Sequence, residues 1–167
     1  RAQIASTLFG GLPAQTFDPL EWAGNTAVIA NTVYYQRVKR GHTASAAKVR
    51  VRVSTSTGNM AVAAYGGGNL SVASATRLAT SGTVACPAVG VADVSFTAAA
   101  DIATGDWLCI GADAAAAFGR VGGGADASAN TWGEGTSYRE IVYPPPATVT
   151  ASPTAFWYAG YIMVALA

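Results

Sequence analysis

The stretch KVRVRVST, residues 48–55, alternates strictly between charged and apolar side chains. A period of two is typical of a β-strand that has one dry face and one wet face. A register shift of one residue would bury the arginines, so the pattern also predicts which side chains point inward. The inward set is Val49, Val51 and Val53, and the outward set is Lys48, Arg50 and Arg52.

Short runs of β-branched and aromatic residues recur along the rest of the chain, separated by Gly, Asn, Ser and Pro. Examples are MAVAAY at residues 60–65, VADVSFT at residues 91–97 and YREIVY at residues 138–143. Helical periodicity is nearly absent. Strands recurring at roughly ten-residue spacing favour an antiparallel arrangement. We therefore expect an all-β fold, an antiparallel two-sheet sandwich, with jelly-roll connectivity as the finer prediction.

The head of the chain differs from the rest, because its short helix-like stretches are broken at once by GGLP. We interpret residues 1–24 as an irregular N-terminal arm or connector and residues 25–167 as one sandwich domain. The PPP run at residues 144–146 predicts an extended coil without ladder hydrogen bonds. The chain starts at Arg1 rather than at Met, which predicts a processed product or a piece of a longer polypeptide.

The charge content is low, with 11% charged residues and a net charge of +1, whereas roughly 25% charged residues is usual. So small an excess does not predict nucleic acid or an anionic membrane as a partner. No apolar run reaches the length of a spanning helix, and no membrane insertion is expected. Low charge also implies weak repulsion between copies, which suits an assembly.

Residue types that carry catalysis are sparse. His42 is the sole histidine, and Cys86 and Cys109 are the two cysteines. This set does not predict a transition-metal site, and no Gly-x-Ser-x-Gly elbow supplies a nucleophile. The two thiols allow at most one disulfide, and two small buried thiols are the alternative. We predict a protein that is not an enzyme and that has no cofactor and no metal.

One group combines carboxylates with aromatic rings, which is the chemistry of a sugar contact. Trp132, Glu134, Tyr138, Glu140 and Tyr143 follow one another closely in the sequence. An aromatic ring can stack on a pyranose while a carboxylate accepts its hydroxyl hydrogens. We interpret these residues as a glycan or receptor contact, with an ordinary exposed loop as the alternative.

The outward cations of residues 48–52 raise the question of a binding surface. Arg37 and Lys39 alternate in the same way on the preceding predicted strand. If the two strands pair, five cations share one outer patch, and carboxylates from a neighbour would relieve their repulsion. We predict a protein interface here, and a solvated strand face with edge protection is the alternative.

The C-terminal segment AFWYAGYIMVALA is apolar on both faces of a predicted strand. One face can enter the sandwich core, and the other then needs a cover. We predict a partner subunit as the cover, with Trp157 and Tyr161 as anchors in a homotrimer. A loop of the same chain, such as the PPP run, is the alternative.

The order of the segments resembles that of the β-rich surface domains of bacteriophage tail-fibre and related virion proteins. The matching segments are NTVYYQRVKR, KVRVRVSTSTGNMAVAAYGGG, RLATSGTVACPA and VSFTAAADIATGDWLCIGAD. Their shared features are a tyrosine-bearing strand, an alternating valine strand, a strand that ends in Tyr65, a Leu-Ala-x-Ser-Gly segment and a turn that leads into Trp107. The resemblance covers about residues 31–111 and is a pattern of strands and turns.

This resemblance implies a non-enzymatic protein on the exterior of a virion, commonly trimeric and in contact with other virion proteins. A tail-fibre domain would engage the host surface, often a glycan. A capsid decoration protein would reinforce the head, using an N-terminal arm such as residues 1–22. From another class, a carbohydrate-binding module of a secreted enzyme is the rival interpretation.

Overall fold

The structure is a computed structural model that describes residues 12–17, 22–67, 71–121, 137–150, 152–156 and 160–167. Within these ranges the chain is built of strands and contains no helix. The strands are β1 (Trp22–Ala27), β2 (Thr32–Arg37), β3 (His42–Thr55), β4 (Asn59–Tyr65), β5 (Arg77–Thr80), β6 (Val84–Ala85), β7 (Gly90–Ala103), β8 (Trp107–Ala112), β9 (Ala117–Val121), β10 (Ser137–Glu140), β11 (Thr154–Phe156) and β12 (Met163–Leu166).

The strands form two antiparallel sheets packed against each other, which confirms the predicted all-β sandwich. Sheet A has the order β1-β9-β3-β12, and β7 pairs with the other side of β3. Sheet B has the order β11-β10-β2-β8-β4-β5, and β6 pairs with β4. Jelly-roll connectivity stays a prediction.

The long strand β3 lies inside sheet A, and its alternation is as predicted. Val49, Val51 and Val53 are 0%, 2% and 1% exposed, while Arg50 and Arg52 are exposed. The facing residues come from sheet B and include Tyr34, Val62, Leu108 and Ile110. Full burial of each valine side chain is worth about 1.5–3 kcal/mol, so this strand holds one register.

Sheet B is buried on both faces, unlike a simple sandwich sheet with one wet face. Its outer face carries a second apolar cluster that includes Val33, Tyr35, Tyr65 and Trp107. Residues 71–76 and 141–150 lie over this cluster and form what we call the sheet B cover, contributing Val72, Ala75, Val142 and Val149.

The PPP run belongs to this cover and is fixed through its carbonyl groups. The Tyr65 hydroxyl donates a hydrogen bond to the carbonyl of Pro146 at 2.7 Å. Arg77 Nη1 donates to the carbonyl of Pro145, also at 2.7 Å. Because proline has no N–H to donate, its carbonyls are the groups through which this run binds the sheet.

Residues 12–17, which we call the seam segment, lie between the edges of the two sheets. Gln15 forms antiparallel bridges to Val164 in sheet A and to Arg40 beyond the end of β2. The N–H of Ala165 donates to the carbonyl of Ala14 at 2.9 Å. Part of the predicted irregular arm is therefore an ordered component of the sandwich, and β1 begins at Trp22, inside the predicted arm.

The seam segment requires a glycine at residue 41. Gly41 has a φ of +90°, and a Cβ placed there would be 2.2 Å from the carbonyl oxygen of Pro13. By contrast, Gly82 also has a positive φ, +65°, but a Cβ there would meet no atom within 4 Å. The two glycines therefore separate backbone strain from a steric clash.

We expect Gly41→Ala to lower the free energy of unfolding by clearly more than Gly82→Ala, in urea titrations followed by tryptophan fluorescence. Both substitutions impose a positive φ on alanine, which costs roughly 1 kcal/mol. Only Gly41→Ala also forces the seam segment away from the body. Equal losses for the two variants would contradict this account of the seam.

Candidate binding surface

The outward cations of β3 are paired with a carboxylate of their own chain. Arg50 lies opposite Asp93 of β7 in the strand register. Arg50 Nε donates to Asp93 Oδ1 at 2.8 Å, and Arg50 Nη2 donates to Asp93 Oδ2 at 3.1 Å. Lys48 Nζ lies 3.0 Å from the same Oδ2. The carboxylate that the sequence suggested would come from a neighbour is therefore supplied by β7.

These contacts keep Asp93 ionised. The hydrogen bonds from Arg50 lower the pKa of Asp93, and those from Lys48 add to the effect. The same pairing raises the pKa of Arg50. One carboxylate among Lys48, Arg50 and Arg52 leaves an excess of positive charge on the outer face of sheet A.

This outer face also presents apolar side chains to solvent. Val91 lies opposite Arg52 in the β3–β7 register and is 65% exposed. The stem of Arg52 lies over Gly119 of β9, where a Cβ would be only 2.9 Å from Arg52 Cβ. We call the surface formed by Lys48, Arg50, Arg52, Asp93 and Val91 the cationic face.

Arg37 and Lys39 are not part of the cationic face, so the predicted patch of five cations is wrong. The strand β2 pairs with β8 and β10 in sheet B, whereas β3 lies in sheet A. In sheet B, Arg37 is the register partner of Trp107. The backbone N–H of Lys39 donates to the carbonyl of Gln15 in the seam segment at 2.8 Å. The chain crosses between sheets at this point, which separates the two sets of cations.

The predicted glycan group is divided between the interior and the surface. Glu140 is 9% exposed, and its carboxylate accepts hydrogen bonds from the Tyr35 hydroxyl at 2.8 Å and from the Thr150 N–H at 3.3 Å. Burial raises the pKa of Tyr35, so its hydroxyl stays a neutral donor. Glu140 therefore joins β10 to the sheet B cover, and its role as a glycan contact is revised to a structural one.

The other members of the glycan group have different positions. Tyr138 is half-buried and packs edge-to-face on Trp107, with ring centroids 5.6 Å apart. Tyr143 is half-buried in the cover. Trp132 and Glu134 lie outside the described residues. The described members do not form an exposed carboxylate-plus-aromatic site.

The predicted subunit anchor Tyr161 is buried within its own chain. It is 2% exposed, and its ring packs edge-to-face on Tyr34 and Phe118. On the opposite face of the segment, Ile162 packs on Phe17 of the seam segment. The chain thus supplies cover for both faces here, and the prediction of Tyr161 as an intersubunit anchor is wrong. Trp157 lies outside the described residues.

The remaining chemistry-bearing residues are isolated or buried. Cys86 and Cys109 are free thiols, and burial raises the pKa of Cys109. His42 is exposed at the start of β3. Across the described ranges, no three His, Cys, Asp or Glu side chains are grouped closely enough to hold a metal ion. In that same part of the chain, no helix is long and apolar enough to cross a membrane.

A cavity of about 320 Å³ lies beside the end of β4. Its lining consists of glycine, serine, alanine and threonine, namely Gly66, Gly67, Ser71, Ala73, Ser74, Ala75 and Thr76. None of these side chains titrates near neutral pH, so the lining has no acid–base group. The charged groups of the cationic face are the more distinctive surface chemistry.

We expect Asp93→Asn to remove a pH-dependent part of the stability. Because the folded-state pKa of Asp93 is lowered, its stabilisation is complete above the unfolded-state pKa of about 3.9. It is lost as the pH falls through the folded-state value. Urea titrations at several pH values should therefore show a difference between wild type and variant near neutrality that shrinks at pH below about 4. A difference independent of pH would contradict the pairing.

We expect Glu140→Gln to lower the free energy of unfolding by about 1–3 kcal/mol, because a buried amide cannot accept both hydrogen bonds as the carboxylate does. A double-mutant cycle with Tyr35→Phe, measured in urea, should show coupling between the two positions. Additive losses would contradict the direct contact.

Comparison with known proteins does not assign a family. No family model matches the chain, and no curated protein matches it. The likeness to phage virion domains therefore stays a resemblance of sequence pattern, and any function has to be argued from the surfaces described above.

Proposed function

We propose that this chain is a non-enzymatic structural domain on the exterior of a bacteriophage particle, of the tail-fibre, receptor-binding type, which engages the host surface. The observation that carries the proposal is the cationic face, an exposed sheet surface with fixed charges and apolar side chains. Such a surface suits adhesion or assembly, whereas an enzyme needs reactive groups gathered at one place. The resemblance over residues 31–111 supplies the virion context.

The buried polar groups support a structural role. Glu140, Tyr35 and Tyr65 use their polar atoms to hold the sheet B cover. Burial raises the pKa values of Tyr65 and Cys109, which keeps both groups neutral near pH 7. Groups that are neutral and enclosed beneath a cover are poorly suited to acid–base or nucleophilic catalysis.

A capsid decoration protein is the second candidate. The cationic face favours it, because a flat sheet surface that combines arginines with an exposed valine matches the composition of protein interfaces. The carbohydrate-binding module has less support, since Glu140 is buried and Tyr138 is half-buried against Trp107.

The homotrimer remains part of the proposal, with a changed contact surface. Because Tyr161 is enclosed within its own chain, a trimer contact would use exposed surfaces instead. Sedimentation velocity on the isolated chain, over a range of concentrations, tests this. A trimer mass supports it, and a monomer at every concentration contradicts it.

Labelled antibodies against the isolated chain, imaged on phage particles, test the location. We expect label at the tail, together with inhibition of phage adsorption when isolated chain is added to host cells. Label spread over the head would instead establish the decoration role. Binding on a glycan array by a monomeric chain, without label on particles, would establish the carbohydrate-binding module and overturn a virion function.

A further inference from the structure

We infer that the cationic face docks on an acidic surface of a different protein, one that also exposes apolar side chains. The inference deepens the proposed function by naming the partner's chemistry. It rests on that function only in taking the same face as the working surface. Four observations carry it: excess charge, exposed valine, fixed geometry and unsuitability for other occupants.

The first observation is the concentration of charge. The chain has ten lysines and arginines in all, and three of them, Lys48, Arg50 and Arg52, point outward from one strand. Asp93 is the carboxylate that faces them across the ladder. The side chains of Lys48 and Arg50 remain 38% and 50% exposed while they contact it. These cations can therefore still contact carboxylates of a partner.

The second observation is an exposed apolar group beside the cations. Val91, the register partner of Arg52, is 65% exposed on the same face. Val89 is 67% exposed just before β7 begins. A solvated strand face needs neither valine, whereas a protein interface buries apolar groups beside its charged pairs.

The third observation is that the face is held rigidly before any partner arrives. β3 pairs with β7 along one side and with β12 and β9 along the other. The bidentate contact with Asp93 orients Arg50, and Gly119 leaves room for the stem of Arg52. Binding then costs little side-chain ordering, which favours affinity.

The fourth observation concerns the occupants that fit less well. Two copies meeting through this same face would bring excess positive charge against excess positive charge. A nucleic acid or polyphosphate would bring phosphates against Asp93 and would leave Val91 without an apolar contact. An acidic protein surface with apolar groups satisfies both the cations and the valine.

The test measures fluorescence anisotropy of labelled probes titrated with the full chain at low salt. The first probe is a peptide of alternating glutamate and valine. The comparison probes are a peptide of alternating glutamate and serine, and a short DNA duplex. We expect the glutamate–valine peptide to bind tightest, with affinity that falls as salt is added.

Matched variants identify the face. We expect Arg52→Glu to weaken binding of the glutamate–valine peptide by about tenfold or more, and Val91→Ser to weaken it by at least about threefold. Arg40→Glu makes the same charge change at an exposed position in the seam, away from the cationic face. This control should leave binding within about twofold of wild type. Urea midpoints check that all variants are folded.

Three results would overturn the inference. They are equal weakening by Arg52→Glu and Arg40→Glu, tighter binding of DNA than of the glutamate–valine peptide, and no binding of that peptide. Failure here is distinguishable from failure of the proposed function, because antibody label on particles does not depend on which face the chain uses.

Discussion

The register of β3 is the constraint on which the rest of the structure depends. Its valines form part of the core between the sheets, and its cations stand on the outer face of sheet A. Because β3 pairs with β7, β9 and β12, its register sets the position of each of these strands. Asp93 meets Arg50 only in this register, so the same constraint that builds the core also assembles the cationic face.

The two sheets divide the work between them. Sheet B is covered on both faces, and the polar groups of Glu140, Tyr35 and Tyr65 attach its cover. Those groups are lost to surface chemistry by the same burial that makes them effective in holding the cover. Sheet A keeps an open face, and the surface properties that matter for a partner are concentrated there.

The ends of the described chain show how one molecule closes its own edges. The seam segment satisfies backbone groups of β12 and of the residues after β2, and Phe17 packs on Ile162. An apolar segment that looked like a subunit interface is thus largely enclosed within one chain. Apolar character on both faces predicts a cover, but it does not identify which segment provides it.

The sequence by itself determined the all-β class, the strand character of residues 48–55 and the inward valines, because local alternation sets these directly. It did not determine that Arg37 lies in the other sheet from Arg50, nor that Asp93 pairs with Arg50 and Lys48. It also did not show that Glu140 is buried, since alternation within YREIVY does not tell which segment lies above a strand. Those facts depend on contacts between residues far apart in the chain, and only the tertiary structure brings these residues together.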